Sequence, residues 1–477
     1  MRTNAKPGWV LALTSIASLM VLLDAMVVTT ALTTIRLDLG ATMEQLEWTV
    51  NAYTLSFAVL LATAAALGDR YGRRRLFTIG LTVFTLASAA CALAPGIGAL
   101  IAARAVQGAG SAMVMPHAMA LLAAAYPPER RARALGLFSS VSGLATLGGP
   151  VVGGAVAQGA SWQWIFWLNV PIGAVLIPVA RIRIPESTAP AGRLDVGGLV
   201  LVTTGALGLV WGLIKGNDAG WTSPEVLGTL AAGVLAMIAF VAWELRVDRP
   251  MLPMRLFAHR GFAAGNGSGF LLYTATFGAA FLMAQYFQVT EHTGPLGAGL
   301  RMMPWTVTVF LVAPVSGMLI NRVGERPLVV AGLAGQAIGL GALALLATEG
   351  RPYPDLVLPL IIAGCGVSLA MPAAQNATLG AVPRESIGTA SGTFNTLRQL
   401  GGVFGVAILA AVFTAHGGYG SAAAFAAGFR PALAVSVLLS LAGAAIGGWL
   451  PARRVASEAA AAPVPQPAAA SAPAGAR

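Results

Sequence analysis

Charge is scarce in this chain. Asp, Glu, Lys and Arg make up only 10% of its 477 residues, against about a quarter in a water-soluble domain, which excludes an ordinary soluble globular protein. Cysteine is scarcer still. Cys91 and Cys365 are the only two, and neither sits in a metal-ligand spacing, so a disulfide scaffold, a zinc site and dithiol redox chemistry all lack residues. No metal and no cofactor is expected. A Walker motif, Gly-x-x-x-x-Gly-Lys-Ser/Thr, is missing, so ATP is not expected to drive the protein directly. Lysine is nearly absent too. Of 29 basic residues only Lys6 and Lys215 are lysines, a bias that with the Ala/Gly excess points to a GC-rich bacterial genome. The net charge of +11 would suggest nucleic acid in a soluble chain. Here the basic residues fall between apolar runs, where they orient a membrane protein, and no nucleic-acid partner is expected.

What the chain has in abundance is apolar surface: 57% hydrophobic residues and a mean hydropathy of +0.76. A helix needs about 20 apolar residues to cross a bilayer. On that measure fourteen spans are expected, near 8–33, 47–67, 76–95, 98–125, 135–158, 163–182, 196–214, 226–245, 262–287, 298–320, 327–348, 354–378, 388–414 and 431–451. The expected fold is therefore an all-α integral membrane protein. An even number of spans puts both termini on one side. That side carries 22 basic residues, the Arg70 and Arg73 to Arg75 group among them, and the opposite side carries five: Arg36, Lys215, Arg301, Arg351 and Arg430. The asymmetry predicts cytoplasmic termini and a multi-pass protein of the bacterial cytoplasmic membrane, with the lipid bilayer as its standing partner. The first span is too long for a signal peptide, contains Asp24 and lacks a small-residue cleavage site, so it is expected to stay. Residues 453–477 are Ala/Pro/Ser-rich and are expected to form a disordered tail.

An internal repeat organises the spans. Leu67-Gly-Asp-Arg70-Tyr-Gly72-Arg-Arg74 returns as Leu319-Ile-Asn-Arg322-Val-Gly324-Glu-Arg326, displaced by 252. Gly108, Gly110 and Pro116 return as Gly364, Gly366 and Pro372, displaced by 256. Both matches equate span n with span n+8. They predict two six-helix halves, residues 1–183 and 256–452, joined by a linker of residues 184–255 that carries two inserted spans. A duplicated six-span half is a transporter architecture.

These motifs resemble the major facilitator superfamily, and within it the fourteen-span drug:proton antiporter family. The resemblance runs through the last span. It rests on Gly68-Asp69-Arg70-Tyr71-Gly72-Arg73-Arg74-Arg75, on Leu23-Asp24 with Val27, Val28, Ala31 and Leu32, and on Ile101-Ala-Ala-Arg104-Ala-Val-Gln107-Gly108-Ala-Gly110. Two further stretches belong to it: Gly148-Gly149-Pro150-Val-Val-Gly153-Gly154 and Trp162-Gln-Trp164-Ile-Phe166-Trp-Leu-Asn169-Val-Pro171-Ile-Gly173. The resemblance implies a proton-coupled antiporter that exports hydrophobic or amphiphilic drugs or antibiotics. Its expected partners are a small lipophilic substrate and protons, with a proton gradient in place of a cofactor and a monomer as the working unit. Proton-coupled uptake, a dedicated exporter of one endogenous metabolite, and a membrane-embedded enzyme or sensor are the alternatives. The enzyme reading lacks any catalytic constellation.

Asp24 is the one carboxylate deep within a predicted span. A buried acid prefers its neutral form and recovers its charge beside water or a cation, which suits a proton carrier, although a purely packing hydrogen bond would also explain it. Arg104 is the expected partner. At about 1.5 Å per residue the two lie roughly 14 Å and 9 Å below the ends of their helices; snorkelling to the surface is the competing reading for Arg104. The position equivalent to Arg104 in the repeat is Leu360, so proton chemistry is expected in the first half alone. In the loop, Gly72 permits a tight turn while Asp69, Arg70, Arg73 and Arg74 can form a charge-based gate. Gly148, Gly149, Pro150, Gly153 and Gly154 suit either a rigid packing seam or a hinge, and the resemblance favours the hinge. In span 9, Asn266, Phe270, Tyr273, Phe277, Phe281 and Gln285 share one helical face. That face is either ordinary packing or an aromatic wall for substrate. Arg398 has no evident acid to pair with, and His117 reads as a hydrogen-bonded helix histidine.

Overall fold

The computed structural model describes residues 7–188, 195–248, 250–252, 254–348, 350–383 and 386–452, with some side chains of the fifth helix left out. The expected tail, 453–477, lies outside them. Among the described residues there are helices and connecting turns and no strands. In a bilayer every backbone N–H and C=O must be satisfied within the segment, which an apolar helix does by itself.

The first helices are α1 (Pro7–Leu39), α2 (Met43–Tyr71), α3 (Arg73–Ala92), α4 (Ile97–Ala125) and α5 (Pro128–Gly159). A sixth crossing is broken into α6 (Trp164–Trp167) and α7 (Asn169–Arg183). A hairpin of α8 (Val196–Ala219) and α9 (Pro224–Glu244) follows, then a 3-10 turn at Met254–Ala258. The second set is α10 (Arg260–Val289), the short α11 (Pro295–Arg301), α12 (Met303–Val323), α13 (Glu325–Leu346), α14 (Pro354–Gly380), α15 (Ile387–His416) and α16 (Ala422–Gly447). Thirteen helical segments among the described residues are long and apolar enough to cross a membrane, with α6 and α7 counted as one. The 32-residue α5, packed along α1, makes the fourteenth crossing. Several helices overshoot the predicted spans, because a helix continues past the hydrocarbon layer until a cap stops it. Thr42 and Gln45 form a reciprocal capping box at the start of α2, and Gly72 at φ +111° ends that helix.

The repeat in sequence is a repeat in packing. Gly72 and Gly324 both take positive φ, +111° and +83°, and each donates its N–H back into the preceding helix, to Gly68 O and Ile320 O. Gly108 of α4 lies against the backbone of Tyr53 and the hydroxyl of Ser56 in α2; Gly364 of α14 lies against Trp305 and Thr308 in α12. Gly110 abuts Gly80 and Phe84 of α3, and Gly366 abuts Gly332 and Gln336 of α13. Every one of these partners is displaced by the same 252. Glycine is required at such points because a Cβ would strike backbone across the helix interface.

With an even number of crossings both ends of the described chain lie on one face, the near face; the turns at Gly40, Gly96 and Gly220 lie on the far face. The two halves are tied together toward the far face. Gln288 of α10 donates to Thr30 O of α1 at 2.9 Å, Leu296 N donates to Gln158 Oε1 at 3.2 Å, and Gly154 of α5 packs on the backbone of Pro295 and Leu296. The inserted α8 wedges between the halves. Its Ala206, Val210 and Ile214 share a core with Leu55, Ala58 and Val59 of α2 and Leu400, Val403 and Ala407 of α15.

Candidate proton-coupling site

Asp24 sits just past the middle of α1 with its side chain wholly enclosed, and Arg104 of α4 is enclosed beside it at 1% exposure. Arg104 Nη1 donates to Asp24 Oδ2 at 2.5 Å. The other carboxylate oxygen accepts from Gln107 Nε2 at 2.9 Å and from Asn169 Nδ2 at 2.8 Å. The arginine is satisfied in turn: Nε donates to Thr49 O at 3.2 Å, Nη1 also donates to Gln107 Oε1 at 2.7 Å, and its plane lies 4.1 Å from the Tyr53 ring centre. Tyr53 is itself held through Ser111 Oγ at 2.8 Å, and Ser88 Oγ accepts from Gln107. Helices α1, α2, α3, α4 and α7 thus meet on one ion pair.

Removing two charges from water costs several kcal/mol per ion, and only a fully hydrogen-bonded pair recovers that cost. Here both ions have such partners. Adding a proton to Asp24 would cancel its attraction for Arg104 and turn a charged acceptor into a neutral acid. The contacts that lock Asp24 to α4 and α7 thus depend on its charge.

The depths of Asp24 and Arg104 along their helices place the two together from sequence alone; Gln107 and Asn169, motif residues without an expected role, join them here. Their signal was present in the spacing, since Gln107 follows Arg104 by three residues on the same helical face.

The loop residues pack against the first half and the segment that directly follows it. Arg73 Nε pairs with Asp69 Oδ1 at 2.7 Å, one helical turn away. Arg74 reaches the end of α7 and the segment after it, donating its backbone N–H to Glu186 Oε1 at 2.9 Å and Nη1 to Arg181 O and Ile184 O. Arg70 stacks on Tyr71. Gly72 also lies against the Glu186 carboxylate, the movable end of a flexible side chain, so its glycine answers chiefly to φ. Gly68 is equally constrained, by the ring of His117, whose Nδ1 bonds to Met113 O.

In α5 the helix runs unbroken through Pro150. Gly149 and Gly153 face Met26, Val27 and Thr30 of α1, while Gly154 and the carbonyl of Pro150 face α11 of the other half, at Pro295, Leu296 and Gly299. Gly148 meets only Val152. In this conformation the motif is a close-packed seam between α1 and α11.

The face of α10 divides. Phe281 and Gln285 are buried toward the far face, Gln285 bonded to Phe281 O and to the Tyr419 hydroxyl. Asn266 is buried near the other end, donating to Phe262 O. Phe270 packs on Phe404, while Tyr273 lies between Phe277 and the Arg398 guanidinium. Arg398 thus has an aromatic partner where no acid was visible. A separate cleft of about 510 Å³ opens on the far face, lined by Trp162, Trp164, Trp167 and Asp38 among others. Its carboxylate is engaged by Trp162 Nε1 at 2.7 Å, and it lies apart from Asp24.

Residues 14–406 and 267–473 match the Major Facilitator Superfamily profile. The chain is 34% identical over 404 residues to the multidrug resistance protein Stp of Mycobacterium tuberculosis, covering 84% of this chain and 75% of that one. It is 33% identical to the tetracenomycin C resistance and export protein of Streptomyces glaucescens, covering 87% and 77%. It is 36% identical to the cephamycin export protein CmcT of Amycolatopsis lactamdurans, covering 94% and 93%. In three dimensions it resembles a POT family transporter crystallised with 5-aminolevulinic acid, with a TM-score of 0.69 at 14% identity over 91% of this chain and 94% of that one.

Proposed function

Since the chain belongs to the Major Facilitator Superfamily, we propose that it is a proton-coupled antiporter exporting hydrophobic or amphiphilic compounds, antibiotics among them. One observation carries the coupling: a carboxylate enclosed at the centre of an apolar bundle and paired with an equally enclosed arginine. The export reading is supported by the relatives named above, whose names state drug resistance or export. The near face is cytoplasmic in this reading, on the 22-to-5 distribution of basic residues, and the far face is external. Asp24 takes its proton from the acidic outside and gives it up inside, while Arg104, Gln107 and Asn169 hold the ionised form between turnovers. Substrate is bound between the halves against apolar and aromatic surface, with Phe270, Tyr273 and Phe277 of α10 as contributors. No chemical step on the substrate and no cofactor is needed, because the gradient does the work. The working unit is a monomer.

The test is efflux of a lipophilic dye from vesicles under an imposed pH gradient. Wild-type protein should drive efflux that collapses with an uncoupler, and Asp24→Asn should be inserted but inactive. Wild-type rates from Asp24→Asn would overturn the coupling assignment. Gradient-driven accumulation in the opposite direction would favour uptake.

A further inference from the structure

A second carboxylate is enclosed in this molecule, and the ion pair above does not use it. Glu47 lies on α2, near the far face, at 3% exposure; Asn51, one turn further along the same face of the helix, is at 0%. Glu47 Oε2 and both amide atoms of Asn51 have no hydrogen-bond partner among the described residues. An enclosed, unpaired carboxylate is costly in its charged form and much less so in its neutral form.

Among the described residues no cation is paired with Glu47, although Arg36 Nε of α1 is itself buried without a hydrogen-bond partner. On α2 itself Glu44 is tied to Lys215 of α8 at 2.9 Å, and Glu44 and Asp218 of α8 both act on Glu47 as like charges. From α1, Arg36 lies over the ring of Tyr419 at 4.3 Å. From the turn before α16, the Tyr419 hydroxyl is engaged by Gln285 and Met43. His416 at the end of α15 is exposed and bonds to Val412 O. The position is a seam between halves. Leu46 and Val50, flanking Glu47, belong to one core with Phe413, Phe425 and Phe429 of the second half, and Tyr419 packs on that core.

We propose that Glu47 is a second proton-binding site, one that is protonated when the far face is closed and ionised when it opens. The opening rests on the transport reading above. As the halves part at this face, Glu47 leaves the Tyr419 side of the seam and meets water, where a carboxylate is charged at neutral pH. Closure then takes one proton from the external water and opening returns it to the same side. The proton is not carried across, so Glu47 adds nothing to the stoichiometry of exchange. It makes closure of the far face respond to external acidity: the low external pH that drives export also returns the emptied carrier to the externally closed state.

Spin labels on Leu37→Cys of α1 and Ala415→Cys of α15, with Cys91 and Cys365 replaced by Ser, report the distance across the far face in nanodiscs. Where Glu47 titrates, the closed-to-open ratio should fall by up to about tenfold per pH unit raised, the limit for one linked proton. In an Asp24→Asn background, where the exchanged proton no longer contributes, Glu47→Gln, a fixed neutral mimic, should hold the ratio constant over the same range, and Glu47→Asp should keep the dependence. An unchanged pH response in Glu47→Gln overturns the proposal. So does a loss in Glu47→Asp equal to that in Glu47→Gln, since that would show a packing role. The same distances in Asp24→Asn separate the two ideas. A pH-responsive seam in a protein that never exports would leave the Glu47 site standing while the transport reading fails.

Discussion

The two halves of this molecule share a scaffold and differ in its electrical content. In the first, Asp24 of α1 meets Arg104 of α4. At the repeat offset of 252 the place of Asp24 is taken by Thr276, whose hydroxyl donates to Leu272 O and accepts from Gln336 Nε2 at 2.8 Å. At the offset of 256 the place of Arg104 is taken by Leu360, fully buried. The contacts of the repeated glycines Gly108 and Gly364, and of Gly110 and Gly366, are the same in both halves. A neutral hydrogen bond and a leucine therefore satisfy this scaffold, and the ion pair is not what folds it. That agrees with the general finding that replacing a buried pair by well-packed neutral groups is often neutral or stabilising, whereas removing one partner costs roughly 3–5 kcal/mol.

The contrast can be broken most sharply by making the first half resemble the second. Asp24→Asn should abolish gradient-driven export and also lower thermal stability in detergent, by about 3–5 kcal/mol if Arg104 is left buried and unpaired. The double replacement Asp24→Thr with Arg104→Leu should recover most of that stability and none of the transport. A double variant as unstable as Asp24→Asn would mean that the pair is structural.

Substrate charge gives the next largest effect. The second half lacks acids beneath the surface of α10, α12, α14 and α15, so a cavity with one exchangeable carboxylate can neutralise a monocation. A dication would keep a desolvation penalty of several kcal/mol. Matched mono- and bis-quaternary compounds should differ in export rate by at least about tenfold in favour of the monovalent member. Equal rates would bring Glu47 or another acid into the cavity.

Where the halves agree, they should respond alike. Gly108→Ala and Gly364→Ala each force a methyl against backbone, and each should cost about 1–3 kcal/mol in thermal unfolding, as overpacking does. A large inequality would show that the repeated packing is stricter in one half. The smallest perturbation concerns sidedness. Tyr71 and Val323 are equivalent positions, 50% and 44% exposed, preceding Gly72 and Gly324. Cysteine at either, with Cys91 and Cys365 replaced, should leave stability unchanged and react with an impermeant thiol reagent in inside-out vesicles only. Labelling in intact cells would reverse the orientation. Gly72 itself is unsuitable for such a probe, because its φ of +111° strains any residue with a side chain.

Much of this protein was legible along the chain. The number of crossings, the repeat and the solitary Asp24 follow from quantities that are local in sequence: about 20 apolar residues per bilayer, and the cost of a charge among them. Arg104 was reachable too, since the depth of a residue along a straight helix is arithmetic. Tertiary structure decided the rest, because partner choice depends on which faces of distant helices meet. That is why Asn169, 145 residues away, donates to Asp24, and why Glu186 closes on Gly72. It is also why one stripe on α10 is packed against core at Phe281 and Gln285 yet lies beside Arg398 at Tyr273. The glycines of α5 make the same point. Their small size was visible in sequence, but only the docked halves place Gly154 against Pro295 and Leu296, since a helix periodicity specifies a face and leaves open what that face will touch.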